Sequence, residues 1–288
     1  MDWKPLALAA VTLSIATSPA AAQEDEVVTL EPLTNWNLDY AEDSCALSRN
    51  FGDAAAPTLL ETRQYAPRAP YIATVLRKEP LASDMRPSLF FGPIDDVLSN
   101  GGSSLIELDE YRGVRAELPT TLGLSERSSF DIEDDPRDAG EAALEWLAIE
   151  GVFADKVQLA TGSMHPALSA MRECQSQLVA SWGFDPVEQT TLSAAAEMDY
   201  DDRWISRAMR RASRRDGPIG SAYLLFFADA EGDITACRAL SPQYRSSGVD
   251  TFCEVAVEDG SVTQASNASG EPVGSFVVFG FFTGTVQR

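Results

Sequence analysis

Six arginines, four cysteines and one histidine are the side chains of this 288-residue chain whose types and spacing could do chemistry. Arg203, Arg207, Arg210, Arg211, Arg214 and Arg215 fall on one helical stretch, opposite Trp204, Ile205, Ala208, Met209 and Ala212. Guanidinium groups so arranged suit an acidic partner or anionic lipid headgroups. The competing reading is a solvated helix face that pairs with the chain's own acidic loops, the usual fate of a charge run. His165 stands before Pro166 at a helix start. No Gly-x-Ser-x-Gly, His-Glu-x-x-His, Ser-x-x-Lys or Gly-x-Gly-x-x-Gly context accompanies it, so it reads as structural. With no Cys-x-x-Cys and a single histidine, metal binding is not expected either. Carboxylate pairs such as Asp95-Asp96 and Asp134-Asp135 are common in any chain this acidic, and nothing selects one for paired-acid catalysis. The chain therefore reads as a protein without catalytic residues, cofactor or metal.

A net charge of −22 and a pI near 4.3 argue against a nucleic-acid partner, because a phosphate backbone demands a basic surface. At the N-terminus, Lys4, the apolar stretch Leu6 to Ile15 and Ala20-Ala21-Ala22 before Gln23 have the layout of a secretory signal peptide over residues 1–22. The apolar run is short for a membrane span, and no later stretch is long enough for one. A periplasmic or secreted protein, cleaved near Ala22, is expected. An uncleaved anchor is the competing reading.

Residues 23–34 are acidic and unpatterned, and read as a loose leader. A first domain over 35–184 is expected to be an antiparallel β-meander with helices. Its candidate strands include Trp36 to Tyr40, Thr58 to Leu60, Tyr71 to Leu76, Ser88 to Phe91, a loose run around Ile106, and Val114 to Leu118. Asp138 and Glu141 have capping-box spacing ahead of Ala142, Ala143, Trp146, Leu147 and Ile149, which reads as a helix. Lys156 to Ala160 reads as a strand. A longer helix starts at Pro166, with Ala167, Met171, Cys174, Leu178 and Trp182 on one face and Gly183 at its end. Residues 185–202 are polar and aperiodic, and read as a linker.

The last part, 203–288, carries the most specific pattern. Ser221 to Phe227 is an aromatic-rich strand, Asp229 to Asp233 a turn, and Ile234 to Ala239 the returning strand. Val249, Phe252, Cys253 and Ala256 lie on one face of a helix that Gly260 ends. Gly274 to Phe282 is a third strand. The order strand–strand–helix–strand makes a small α+β unit. The positions Asp229, Gly232, Cys237, Ser246, Ser247, Gly248, Asp250, Cys253, Gly270, Pro272 and Val273 resemble the C-terminal domain of TonB-type periplasmic proteins in order and spacing. The likeness covers about the last third of the chain. It implies a ββαβ module and an envelope-transport or outer-membrane receptor setting.

Four cysteines in an oxidising compartment allow three pairings. Cys237–Cys253 is favoured, since both lie in the C-terminal module, on a strand and on the helix that covers it. That leaves Cys45–Cys174 in the preceding domain. The last strand is apolar on both sides: Phe276, Val278 and Phe282 point one way, and Val277, Phe279 and Phe281 the other. Its second face is expected to pack on the first domain or on a partner, and its free edge to accept a peptide strand.

The function expected is a soluble periplasmic interaction protein that binds a protein of the cell envelope. Arg203, Arg207, Arg210, Arg211, Arg214, Phe276, Phe279 and Phe281 are the candidate contacts. The alternatives are a secreted acidic hydrolase with a carboxylate site in the first domain, and a purely structural C-terminal module.

Overall fold

A computed structural model describes residues 27–82, 86–92, 103–118, 136–199, 203–217, 222–240 and 247–281. The first half carries strands β1 (Val27–Leu30), β2 (Asn37–Tyr40), β3 (Cys45–Asp53), β4 (Ala56–Gln64), β5 (Tyr71–Arg77), β6 (Ser88–Gly92), β7 (Ser103–Leu108) and β8 (Tyr111–Leu118). Helix α1 (Pro136–Ala143), strands β9 (Trp146–Glu150) and β10 (Lys156–Leu159), and helices α2 (His165–Ser181) and α3 (Pro186–Thr190) follow. The rest is α4 (Arg203–Asp216), β11 (Ala222–Ala228), β12 (Ile234–Leu240), α5 (Ser247–Asp259), β13 (Ala265–Ser266), β14 (Pro272–Val273) and β15 (Ser275–Phe281). The fold is mixed α+β with mostly antiparallel sheets, as the sequence implies.

The meander is real but incomplete. Strands β2, β3, β4 and β5 follow one another in a six-stranded sheet of order β2-β3-β4-β5-β8-β7. Strand β6 leaves it for a second sheet of order β1-β10-β9-β6, in which β1 and β10 run parallel. Leu47, Leu60, Val75 and Val114 from the first sheet meet Leu89, Phe91, Leu147 and Ile149 from the second, and Leu168 and Met171 of α2 complete this core. The Cys45–Cys174 disulfide ties β3 to α2.

Three expectations need correction. Val27–Leu30, placed in the loose leader, is a strand, and Leu33 N donates to Asn50 O at 2.8 Å beyond it. The helix read through Ile149 stops at Ala143. From Trp146 onward Leu147 and Ile149 are buried alternately, which is a strand period. Strand β6 seals that choice, because Gly92 lies under the Trp146 ring, which a Cβ there would approach to 1.8 Å. Of the expected linker over 185–202, the described residues 185–199 contain α3, and Ala194 and Glu197 bridge to Ser266 and Thr263.

The second sheet of interest has the order β12-β11-β15. Its hairpin turn is set locally. The Asp229 carboxylate accepts from Glu231 N and Asp233 N at 3.1 and 2.9 Å. Gly232 sits at φ +87°, with Val262 O 2.5 Å from where a Cβ would stand. One face of this sheet, with Leu224, Phe226 and Phe279, packs under Trp204 and Ala208 of α4 and Phe252 of α5. The Cys237–Cys253 disulfide fastens α5 to β12.

The other face lies on the six-stranded sheet. Tyr65 and Ile72 pack with Tyr223, Leu225 and Leu240 there, so β5, with Ala73 and Val75 facing the opposite core, is buried on both sides. Tyr223 Oη donates to Glu117 Oε1 at 2.7 Å, and Arg238 pairs with Asp43 at 2.9 Å across the same seam. Burying five such side chains contributes on the order of 10 kcal/mol as an upper bound. With the hydrogen bond and the ion pair beside it, this apolar contact joins the two halves. Leu225→Ala is expected to lower stability by about 2–5 kcal/mol in denaturant unfolding, by lost burial and a residual cavity. An unchanged unfolding midpoint would contradict the seam.

Candidate functional site: the open edge of the C-terminal sheet

Strand β15 pairs with β11 on one side, in antiparallel register from Ala222↔Phe281 to Ala228↔Ser275. Among the described strands it has no neighbour on the other side. An edge of this kind presents unpaired backbone N–H and C=O groups, and proteins normally cover it. Here the cover is partial. Gln189 Nε2 donates to Gly274 O at 2.9 Å, and Ser275 Oγ donates to Gln189 Oε1 at 2.7 Å. Gln189 is placed for this by α3, whose start is fixed by Pro186 and by the Asp185 carboxylate, which accepts from Val187 N at 2.8 Å.

Past Ser275 the strand edge borders a cavity of about 130 Å³. Pro67, Ala69 and Pro70 line it from the first half of the chain, Leu192 and Ala196 from the segment after α3, and Val277 from β15. Small-molecule sites run to roughly 300–1,000 Å³, so this space is too small for one. It is close to the roughly 150 Å³ voids that accept a single ring. One apolar side chain of an extended segment fits that size. Arg68 at the rim holds φ 66°, a left-handed conformation unusual for its type, and its guanidinium donates to Thr190 O at 3.3 Å.

The aromatic residues read as contacts from the sequence have other neighbours. Phe279 is 3% exposed and stacks with Phe252 of α5. Phe276 packs edge-on against Trp182 and Phe184. The side chain of Phe281 lies outside the described residues. Both faces of β15 thus pack inside the molecule, and its edge is what remains for a partner. The edge cavity was not legible, since its walls come from three distant segments.

The arginine helix divides into two rows. Arg207, Arg211 and Arg215 pair with Asp259, Glu258 and Glu254 of α5 at 3.1, 2.8 and 2.8 Å. The hydrogen bond that Arg211 donates to Glu258, followed by the Coulombic pull of that carboxylate, raises the guanidinium above its ordinary value. This row is paired within the chain, with a helix rather than the expected acidic loops as its partner. Arg203, Arg210 and Arg214 form the second row, exposed and without an ion pair among the described residues.

Comparison with known proteins gives no match: no family model, curated protein or solved structure matches the chain. The two disulfides fit an oxidising, extracytoplasmic compartment. No described helix is long and apolar enough to cross a membrane.

Gln189→Ala removes two hydrogen bonds from a buried position and is expected to loosen the cover over β15. Amide exchange of Gly274 to Val278 should speed up roughly 5- to 100-fold, equivalent to about 1–3 kcal/mol. Unchanged exchange would show that Gln189 does not hold the edge.

Proposed function

We propose that this chain is a periplasmic interaction protein that takes an extended segment of an envelope protein as an added strand along β15. The observation that carries this reading is the edge position of β15 beside an apolar cavity of one-side-chain size. In strand addition, main-chain hydrogen bonds supply affinity and a pocket for alternate side chains supplies specificity. The likeness to TonB-type C-terminal domains supports the envelope as the setting, as does the secretory layout of residues 1–22. Arg203, Arg210 and Arg214 would steer an acidic partner by long-range attraction.

Site-resolved crosslinking of the full chain tests the reading. A photoreactive side chain at Leu192, which lines the cavity, is expected to capture an envelope protein, with slower amide exchange in Ser275 to Phe281. The same group at Val257, exposed on α5, should not capture it. Equal capture at both positions, or no change in the amides, would contradict strand addition.

The steering role has its own readout. Reversing Arg210 and Arg214 to glutamate is expected to slow association with that partner about 10-fold at low salt and far less at high salt. An unchanged rate would remove the arginine row from the account.

A further inference from the structure

The end of α1 lies beside the start of α2, although β9 and β10 separate them along the chain, and backbone bonds fix this approach. Leu144 N donates to Glu141 O, Gly162 N to Glu145 O, and Met164 N to Leu144 O, at 3.3, 2.9 and 3.1 Å. Leu144 and Met164 are both fully buried in the main core. This clamp brings Asp138 and Glu141, one turn apart on α1, up to His165, the first residue of α2. One ligand-type atom from each of the three lies within 4.8 Å of the other two.

The separations are informative. His165 Nδ1 is 3.4 Å from Glu141 Oε2 and 3.6 Å from Asp138 Oδ1. Charge-assisted N–H···O bonds run at about 2.7–2.9 Å, so neither contact is one. Zinc–ligand bonds of about 2.0–2.1 Å in a tetrahedral site set neighbouring ligand atoms roughly 3.3 Å apart. The observed gaps are of that size.

Burial points the same way. Glu141 is 3% exposed, and its Oε2 atom and His165 Nδ1 are buried without a hydrogen-bond partner. A buried carboxylate oxygen left in that condition costs free energy unless something meets it. The other oxygen, Oε1, accepts from Arg172 Nη1, which orients the carboxylate as an outer-shell group would. The carboxylate of Asp138 is 63% exposed and held only by a long 3.9 Å contact to Arg172 Nη2 besides His165, so it has room to turn onto an ion and leaves one side open to solvent.

We propose that Asp138, Glu141 and His165 form a binding site for a divalent transition-metal ion, with zinc the best fit to one imidazole and two carboxylates. Arg172 is its positioning residue. Two carboxylates against one guanidinium leave the fixed charges of the site net negative before binding, and a bound ion would take the Nδ1 lone pair of His165. The ion bridges α1 and α2, and its fourth position faces solvent beside Asp138. The alternative is a bare imidazolium held loosely between two carboxylates.

The probe is zinc alone, titrated into chelator-stripped full chain with its disulfides intact. Because the chain carries 44 acidic residues, weak surface binding is certain, so stoichiometry and ligand type decide the matter. One tight equivalent is expected, with an absorption-edge spectrum showing one imidazole and oxygen ligands at about 2.0–2.1 Å. Asp138→Ala and His165→Ala, both at solvent-accessible positions, should each weaken that equivalent at least 10-fold. Arg172→Ala is expected to weaken it about 10- to 100-fold, the usual effect of an outer-shell loss. Glu173→Gln, an exposed carboxylate on α2, should leave it unchanged. Far-UV circular dichroism checks folding of each variant. The proposal is overturned by zinc binding without an imidazole ligand, by equal binding in the His165→Ala chain, or by nitrogen NMR of His165 that shows an imidazolium untouched by zinc.

Discussion

Leu225 and Phe226 are neighbours on β11, and a strand sends neighbours to opposite faces. Both are fully buried, so the C-terminal sheet needs two apolar covers. Helices α4 and α5 supply one, and the outer face of β5 and the residues around Tyr65 supply the other. This constraint explains why β5 is buried at every position. It also explains why Trp182, at the end of α2, turns its ring toward Phe227 and Phe276. A sheet hydrophobic on both faces cannot stand at the end of a flexible tether, and here it does not.

The same demand shapes what is left exposed. Once both faces are committed, what the C-terminal sheet leaves exposed is an edge and a charged rim. Gln189 of α3 holds the start of β15, and the segment after α3 is tied by Ser193 and two bridges to the β13 region, leaving a cavity between it and the β15 edge. The disulfides brace the covers: Cys45–Cys174 spans 129 residues and Cys237–Cys253 only 16. By chain entropy they contribute about 5 and 3 kcal/mol. Each joins a helix to the sheet that it covers.

Much of this was legible where one period dominates. Ala167, Met171, Cys174 and Leu178 announce the buried face of α2, and that face pointed Cys174 toward Cys45. The two-sided apolar pattern of Phe276 to Phe279 foretold cover on both faces. Trp146, Leu147 and Ile149 were misread because a short apolar run fits either period. The partner strand β6, 54 or more positions earlier, decides it. Val27–Leu30 gave no signal, since an edge strand with alternate exposure needs little patterning. The Asp138–Glu141–His165 cluster was hidden for another reason. Its first two members look like a helix cap, and only the backbone clamp at Leu144 and Met164 brings the histidine to them.

The central claim is that the C-terminal sheet and the six-stranded sheet stand or fall together across the Tyr65–Ile72 seam. Native-state amide exchange at increasing denaturant tests it most directly, by comparing Val75 on β5 with Leu225 on β11. Both amides are expected to exchange through one global opening of the same free energy. Exchange of Leu225 through a separate, lower-energy opening, with Val75 still protected, would contradict it.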